Sequence, residues 1–158
     1  MKHIESKKHI KRYNLSAIML NQWLIYAFIS AIFAALVAIF GKIGMKGIDS
    51  TLATTIRALV MFVFLFVVII LQKKYILIGT IKQVDYVFII LAGIAGAMSW
   101  LFYFLALKSG EATKVASIDR LSIVFIMIFS LLFLGEKFSL KLLSGIILIA
   151  VGAILIIL

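Results

Sequence analysis

Beyond its first twenty positions the chain alternates long apolar runs with short polar interruptions. A hydrocarbon core of about 30 Å is crossed by roughly 20 apolar residues in a helix. Five runs reach that length: about 22–40, 51–71, 86–107, 112–134 and 140–158. They are continuous rather than alternating apolar with polar, so they do not read as β-barrel strands. The pattern predicts an all-α integral membrane protein with five transmembrane helices and little chain left for any domain outside the membrane.

The interruptions carry helix-end chemistry. Asp49 and Ser139 stand at N-cap positions of spans two and five, and Ser109 is placed to cap span four. Glu111 then falls in a first helical turn, where the helix dipole favours negative charge. Gly41, Gly110 and Gly135 follow spans one, three and four, as C-terminal cap glycines do. There is no proline, so any break inside a span requires glycine or a polar insertion.

Composition agrees with a membrane protein and removes most soluble chemistry. Charged residues make up 14% of the 158 positions, against about 25% in soluble domains. The chain has no cysteine, and its two histidines, His3 and His9, lie in the polar N-terminal stretch. Disulfides, thiolate metal sites, cysteine nucleophiles and histidine triads in the membrane body are thereby excluded. No cofactor and no metal are expected. Residues 1–18 read as a basic polar tail, and Met19 is an equally well-placed start, in which case the tail is not translated. A secretory signal peptide is the rival reading of residues 1–40, but the apolar run is too long and Phe40-Gly41-Lys42 is a poor cleavage site.

Lysine and arginine near the span ends set orientation. The face carrying the tail and the second and fourth loops holds ten of them, against four on the other face, or six counting Arg57 and Arg120. This predicts a cytoplasmic N-terminus and an outward C-terminus in the cell membrane. Starting at Met19 reduces the count to five against four and leaves orientation nearly undecided. The net charge of +10 is spread over every membrane edge rather than one stripe, which fits anionic lipid headgroups better than nucleic acid.

Ionisable groups inside spans are expensive and lean functional. Arg57 lies about 9 Å into span two, and Asp119 and Arg120 lie roughly 10–12 Å into span four, from the same face. At matching depth an Arg57–Asp119 pair would satisfy two charges and leave Arg120 to snorkel or meet a ligand. The plainer reading is a structural ion pair between spans two and four. In span three, Trp100 and Tyr103 share a helical face with Phe104 beside them, also about 10 Å deep. Such aromatics line a cavity and accept a cation over their faces, or simply pack, the preferred reading for Tyr103. Ser30 and Ser99 are weaker candidates, since serine in a membrane helix usually bonds its own backbone. Ser30, Ala34 and Ala38 in span one, and Ala92-xxx-Gly96 with Gly93-xxx-Ala97 in span three, predict close helix packing, whether within one chain or between two.

One further signal comes from Ala106-Leu107-Lys108-Ser109-Gly110-Glu111-Ala112, Ser117-Ile118-Asp119-Arg120-Leu121-Ser122 and Leu131-Leu132-Phe133-Leu134-Gly135-Glu136-Lys137, with Ser144-Gly145 and Val151-Gly152 in the last span. Together with Trp23-Leu24-Ile25-Tyr26, Gly41-Lys42-Ile43-Gly44 and Asp49-Ser50-Thr51 through Arg57, they resemble the EamA domain of the drug/metabolite transporter superfamily over about residues 19–158. The resemblance implies one five-helix repeat, whose larger relatives carry two in inverted orientation with a substrate route between them. Asp119-Arg120-Leu121-Ser122, with no proline, departs from many relatives in span four.

The expected function is therefore a membrane transporter for a small polar or amphipathic metabolite or drug. Asp119 would be the proton or cation site, Arg57 and Arg120 its partners or anion contacts, and Trp100 and Tyr103 cavity walls. Because alternating access rocks one repeat against another, a single repeat needs a partner: an antiparallel homodimer, or a heteromer with a related small membrane protein. The alternative is a non-transporting assembly or regulatory subunit. An enzyme is not expected, since Asp119 has no His, Cys or second buried acid facing it.

Overall fold

A computed structural model describes residues 2–158, with side chains described over 22–158. The expectations for the basic tail, and for Met19 as a start, fall on residues whose side chains lie outside that description. The described residues hold six α-helices, one 3-10 segment and one π turn, with no strand. They are α1 (Lys2–Gly44), α2 (Ser50–Leu71), the 3-10 segment Lys74–Thr80, α3 (Gln83–Ser109), α4 (Ala112–Asp119), α5 (Ser122–Phe129), the π turn Ser130–Leu134 and α6 (Leu140–Ile157). Five stretches are long and apolar enough to cross a membrane: Gln22–Gly44, Ser50–Leu71, Gln83–Ser109, Ala112–Leu134 and Leu140–Ile157.

The chain divides into two units, residues 1–40 and 41–158. The first contains most of α1. Its Trp23, Ile25, Tyr26 and Phe28 are exposed, as apolar side chains facing lipid would be.

In the second unit α2 packs on α3, α3 meets α4, and α4 and α5 pack on α6. Few side chains are buried; Leu107 and Phe104 of α3 are among them. Asp49 caps α2 as expected, its Oδ1 accepting from the Thr51 and Leu52 amides at 2.9 and 3.1 Å. Ser139 caps α6 by accepting from the Leu142 amide at 3.2 Å. Gly135 ends the fourth span in the left-handed region at φ +63°.

Two end assignments are corrected. Gly41 lies inside α1, which runs on to Gly44, and the left-handed turn that follows is made by Gly47 at φ +82°. A β-carbon at Gly41 would stand 3.1 Å from the Phe104 ring, so its smallness serves close approach rather than capping. Ser109 does not cap span four: Glu111 occupies the N-cap position without a side-chain bond, and the Ser109 hydroxyl donates back to the Ala106 carbonyl at 3.4 Å.

Span four is interrupted at its charged pair. Between α4 and α5 the ladder tightens, with the amides of Leu121, Ile123 and Val124 donating to the carbonyls of Ile118, Arg120 and Leu121, three residues back. Arg120 and Leu121 keep right-handed dihedrals, so this is a 3-10 turn within a continuous span rather than a kink. The polar insertion Asp119-Arg120 is where the break occurs. The same span ends in a π turn at Ser130, which is buried and donates its hydroxyl to Met127 at 3.2 Å.

Candidate functional site

Span two reaches Arg57 two turns after its Asp49 cap, and antiparallel span three brings Trp100 opposite. The guanidinium carbon of Arg57 stands 3.6 Å from the Trp100 ring centroid and 5.4 Å from that of Phe104. Trp100 meets Tyr103 edge-on at 5.5 Å and Phe104 at 6.0 Å, so two aromatics of the same helical face brace the ring under the cation. The expected cation acceptor exists, and the cation over it is the protein's own.

Magnitudes explain why Arg57 is tolerated there. A charged side chain at a helix centre costs about 2.5–3.5 kcal/mol on insertion scales. A desolvated cation–π contact returns about 2 kcal/mol. Since Arg57 sits short of the membrane centre, the Trp100 face offsets most of the cost. Among the described residues no carboxylate lies within 4.0 Å of the guanidinium.

The Arg57–Asp119 pair foreseen from depth alone therefore does not form among the described residues. Equal depth did not bring the two together: Arg57 is on α2, which packs on α3, whereas Asp119 ends α4, whose main packing partner is α6. Arg57 meets α3 through Trp100. Asp119 and Arg120, at the 3-10 turn of span four, are both exposed. Arg57, Trp100 and Tyr103 thus form one cluster on α2 and α3. Ser99 is exposed on α3, and Ser30, in the first unit, is exposed as well.

Beside the cluster a cleft of about 820 Å³ opens between α2 and α3. Its mouth is formed by Thr51, Thr54 and Thr55, its middle by Arg57 and Trp100, and its deeper part by Met61, Phe62 and Leu65. Gly93 and Gly96 line the α3 side, and a β-carbon at either would meet nothing within 4 Å. Within this chain the small residues of span three therefore line open space. The hydroxyls of Thr54 and Thr55 donate to the carbonyls of Ser50 and Thr51 at 2.8 and 2.9 Å, which leaves their oxygens as acceptors at the mouth.

One polar device was not foreseen. Lys42 Nζ donates to the carbonyls of Leu107 at 2.7 Å, Lys108 at 3.3 Å and Gly110 at 2.8 Å. A cation thereby satisfies the last carbonyls of α3 at the negative end of its dipole. In the sequence Lys42 is only a basic residue after an apolar run. Its partners lie more than sixty positions away.

Comparison with known proteins follows the same span of chain. The model of the EamA-like transporter family matches residues 21–158. A Sinorhizobium protein described as an uncharacterized transporter in the cobO 3′ region is 42% identical over 137 residues, covering 87% of this chain and 97% of that protein. No solved structure gives a significant match.

Proposed function

Since the chain belongs to the EamA-like transporter family and is a multi-pass membrane transporter, we propose that it carries a small polar or amphipathic metabolite or drug, as one half of an inverted-repeat carrier. The observation that carries this reading is the α2–α3 cleft, which holds a membrane-embedded guanidinium stacked on an aromatic ring. A volume of about 820 Å³ suits a small organic molecule. Family membership also favours transport over enzymatic chemistry.

One five-helix repeat needs a second to alternate access. The partner in this reading is an inverted copy of the same chain, and a related small membrane protein is the runner-up. The relative's 97% coverage leaves room there for about one such unit as well, in keeping with half-carriers that assemble. The reading places the protein in the cell membrane with its basic edges on anionic headgroups, one copy with its N-terminus cytoplasmic and its inverted partner the other way round. Asp119, beside the 3-10 turn of span four, is the proton or cation site, since interrupted membrane helices supply ion sites in many carriers.

The test is solute flux into proteoliposomes by the wild type and Asp119→Asn, with a topology reporter fused after Leu158. Coupled flux lost in Asp119→Asn, and reporter signal on both sides, are expected. Unchanged coupled flux in the variant removes Asp119 from the mechanism. A single reporter orientation with monomeric behaviour in membranes removes the homodimer. Co-purification with a fixed partner, and no flux without it, identifies a subunit of another assembly instead.

A further inference from the structure

We propose that the α2–α3 cleft binds a small amphipathic organic anion, its carboxylate on Arg57 and its apolar body along Met61, Phe62 and Leu65. The inference deepens the carrier reading above and rests on it for the idea that the ligand moves.

The charge argument comes first. The Trp100 face, the natural seat for a ligand cation, is occupied by Arg57 at 3.6 Å. A second cation in this cleft would meet like charge in a medium that screens it poorly. The guanidinium has no carboxylate within ion-pair distance among the described residues, and it lines the cleft. The ring takes one face of the planar group and leaves the N–H edge, which matches a carboxylate bidentately. One guanidinium balances a monoanion.

The rest of the cleft sets the shape. Below Arg57 the walls are apolar, and Gly93 and Gly96 keep the α3 side open. Above it Thr54 and Thr55 make a polar mouth nearer the membrane edge. A ligand entering from water passes hydroxyls, meets the cation, and buries its hydrocarbon beyond. Phenylacetate and hexanoate have this form.

The chain contains two tryptophans, Trp23 and Trp100. In Trp23→Phe, Trp100 becomes a sole fluorophore in contact with the binding group. In phosphatidylcholine nanodiscs, phenylacetate and hexanoate are expected to change its emission saturably. The neutral phenylacetamide and cationic phenethylamine should act at least tenfold more weakly. Arg57→Gln should weaken phenylacetate binding at least tenfold, read also by equilibrium binding of radiolabelled phenylacetate, and Arg57→Lys should be intermediate. Equal binding of acid and amide, or wild-type binding by a folded Arg57→Gln, overturns the proposal. If Arg57→Gln does not fold, the acid–amide contrast in the parent protein decides. An emission change produced by phosphatidylglycerol in the bilayer and not displaced by phenylacetate also overturns it, assigning the cleft to lipid. Arg57-dependent binding without flux upholds the anion site while removing the carrier reading. Flux of other solutes without Arg57-dependent binding removes the anion site and leaves the carrier reading intact.

Discussion

Arg57 and Trp100, forty-three positions apart on antiparallel helices, are joined by a guanidinium lying 3.6 Å above an indole ring. This contact ties span two to span three inside the membrane and keeps a costly charge at the wall of the cleft. Replacing the ring by an aliphatic side chain, as in Trp100→Leu, removes the stacking surface, and about 1–2 kcal/mol of stability is expected to be lost. Trp100→Phe keeps an aromatic face and should recover part of it. Unfolding in mixed micelles measures both, and equal stability of the two variants would remove the cation–π account.

Lys42 makes a second long-range tie. Lys42→Met preserves the stem and removes the donors, leaving the carbonyls of Leu107, Lys108 and Gly110 without their ammonium partner. Losing hydrogen bonds to a charged group costs about 1.5–3 kcal/mol. Lys42→Arg, which keeps charge and donors, should retain most of the stability in the same assay.

The turn between spans three and four is tight enough to test by a single methyl. A β-carbon at Gly110 would stand 2.7 Å from Val115 Cγ2 and 3.1 Å from the Ala106 carbonyl oxygen. Its φ of −92° suits any residue, so Gly110→Ala is a test of space alone. Overpacking of this kind costs about 1–3 kcal/mol. Adding Val115→Ala removes the nearer obstacle and should restore part of the loss, which a double-mutant cycle in thermal unfolding reads directly.

Acid sensitivity follows from the cap of span two. The Leu52 amide, with that of Thr51 and the charge of Lys108, holds the Asp49 carboxyl below its ordinary value despite partial desolvation acting the other way. A depressed folded-state value means that the contribution is present above the ordinary carboxylate range and is lost as pH falls through the lowered value. Asp49→Asn should keep the cap bond but lose this part of the pH dependence, and Asp49→Ala should be less stable at neutral pH. Stability measured from pH 7 downward for the three proteins checks the sign. A wild-type acid limb as shallow as that of Asp49→Asn would remove Asp49 from it.

The membrane class, the five spans and the caps at Asp49 and Ser139 were legible in the chain alone. Each is a local property: twenty apolar residues must lie in a helix in hydrocarbon because no water is there to satisfy the backbone, and a cap bond joins residues two or three apart. The candidate site residues were also visible as types, since a charge inside an apolar run stands out whatever surrounds it. Their partners were not. Depth along a helix gives one coordinate, and Arg57 and Asp119 agree in it, but which neighbour each helix takes is a matter of packing. Here α2 packs on α3 while α4 packs mainly on α6, so Arg57 meets Trp100, and Lys42 meets carbonyls more than sixty positions ahead. Rotation and neighbour order of helices depend on side-chain contacts summed over the assembled bundle, which no periodicity along one strand of sequence encodes.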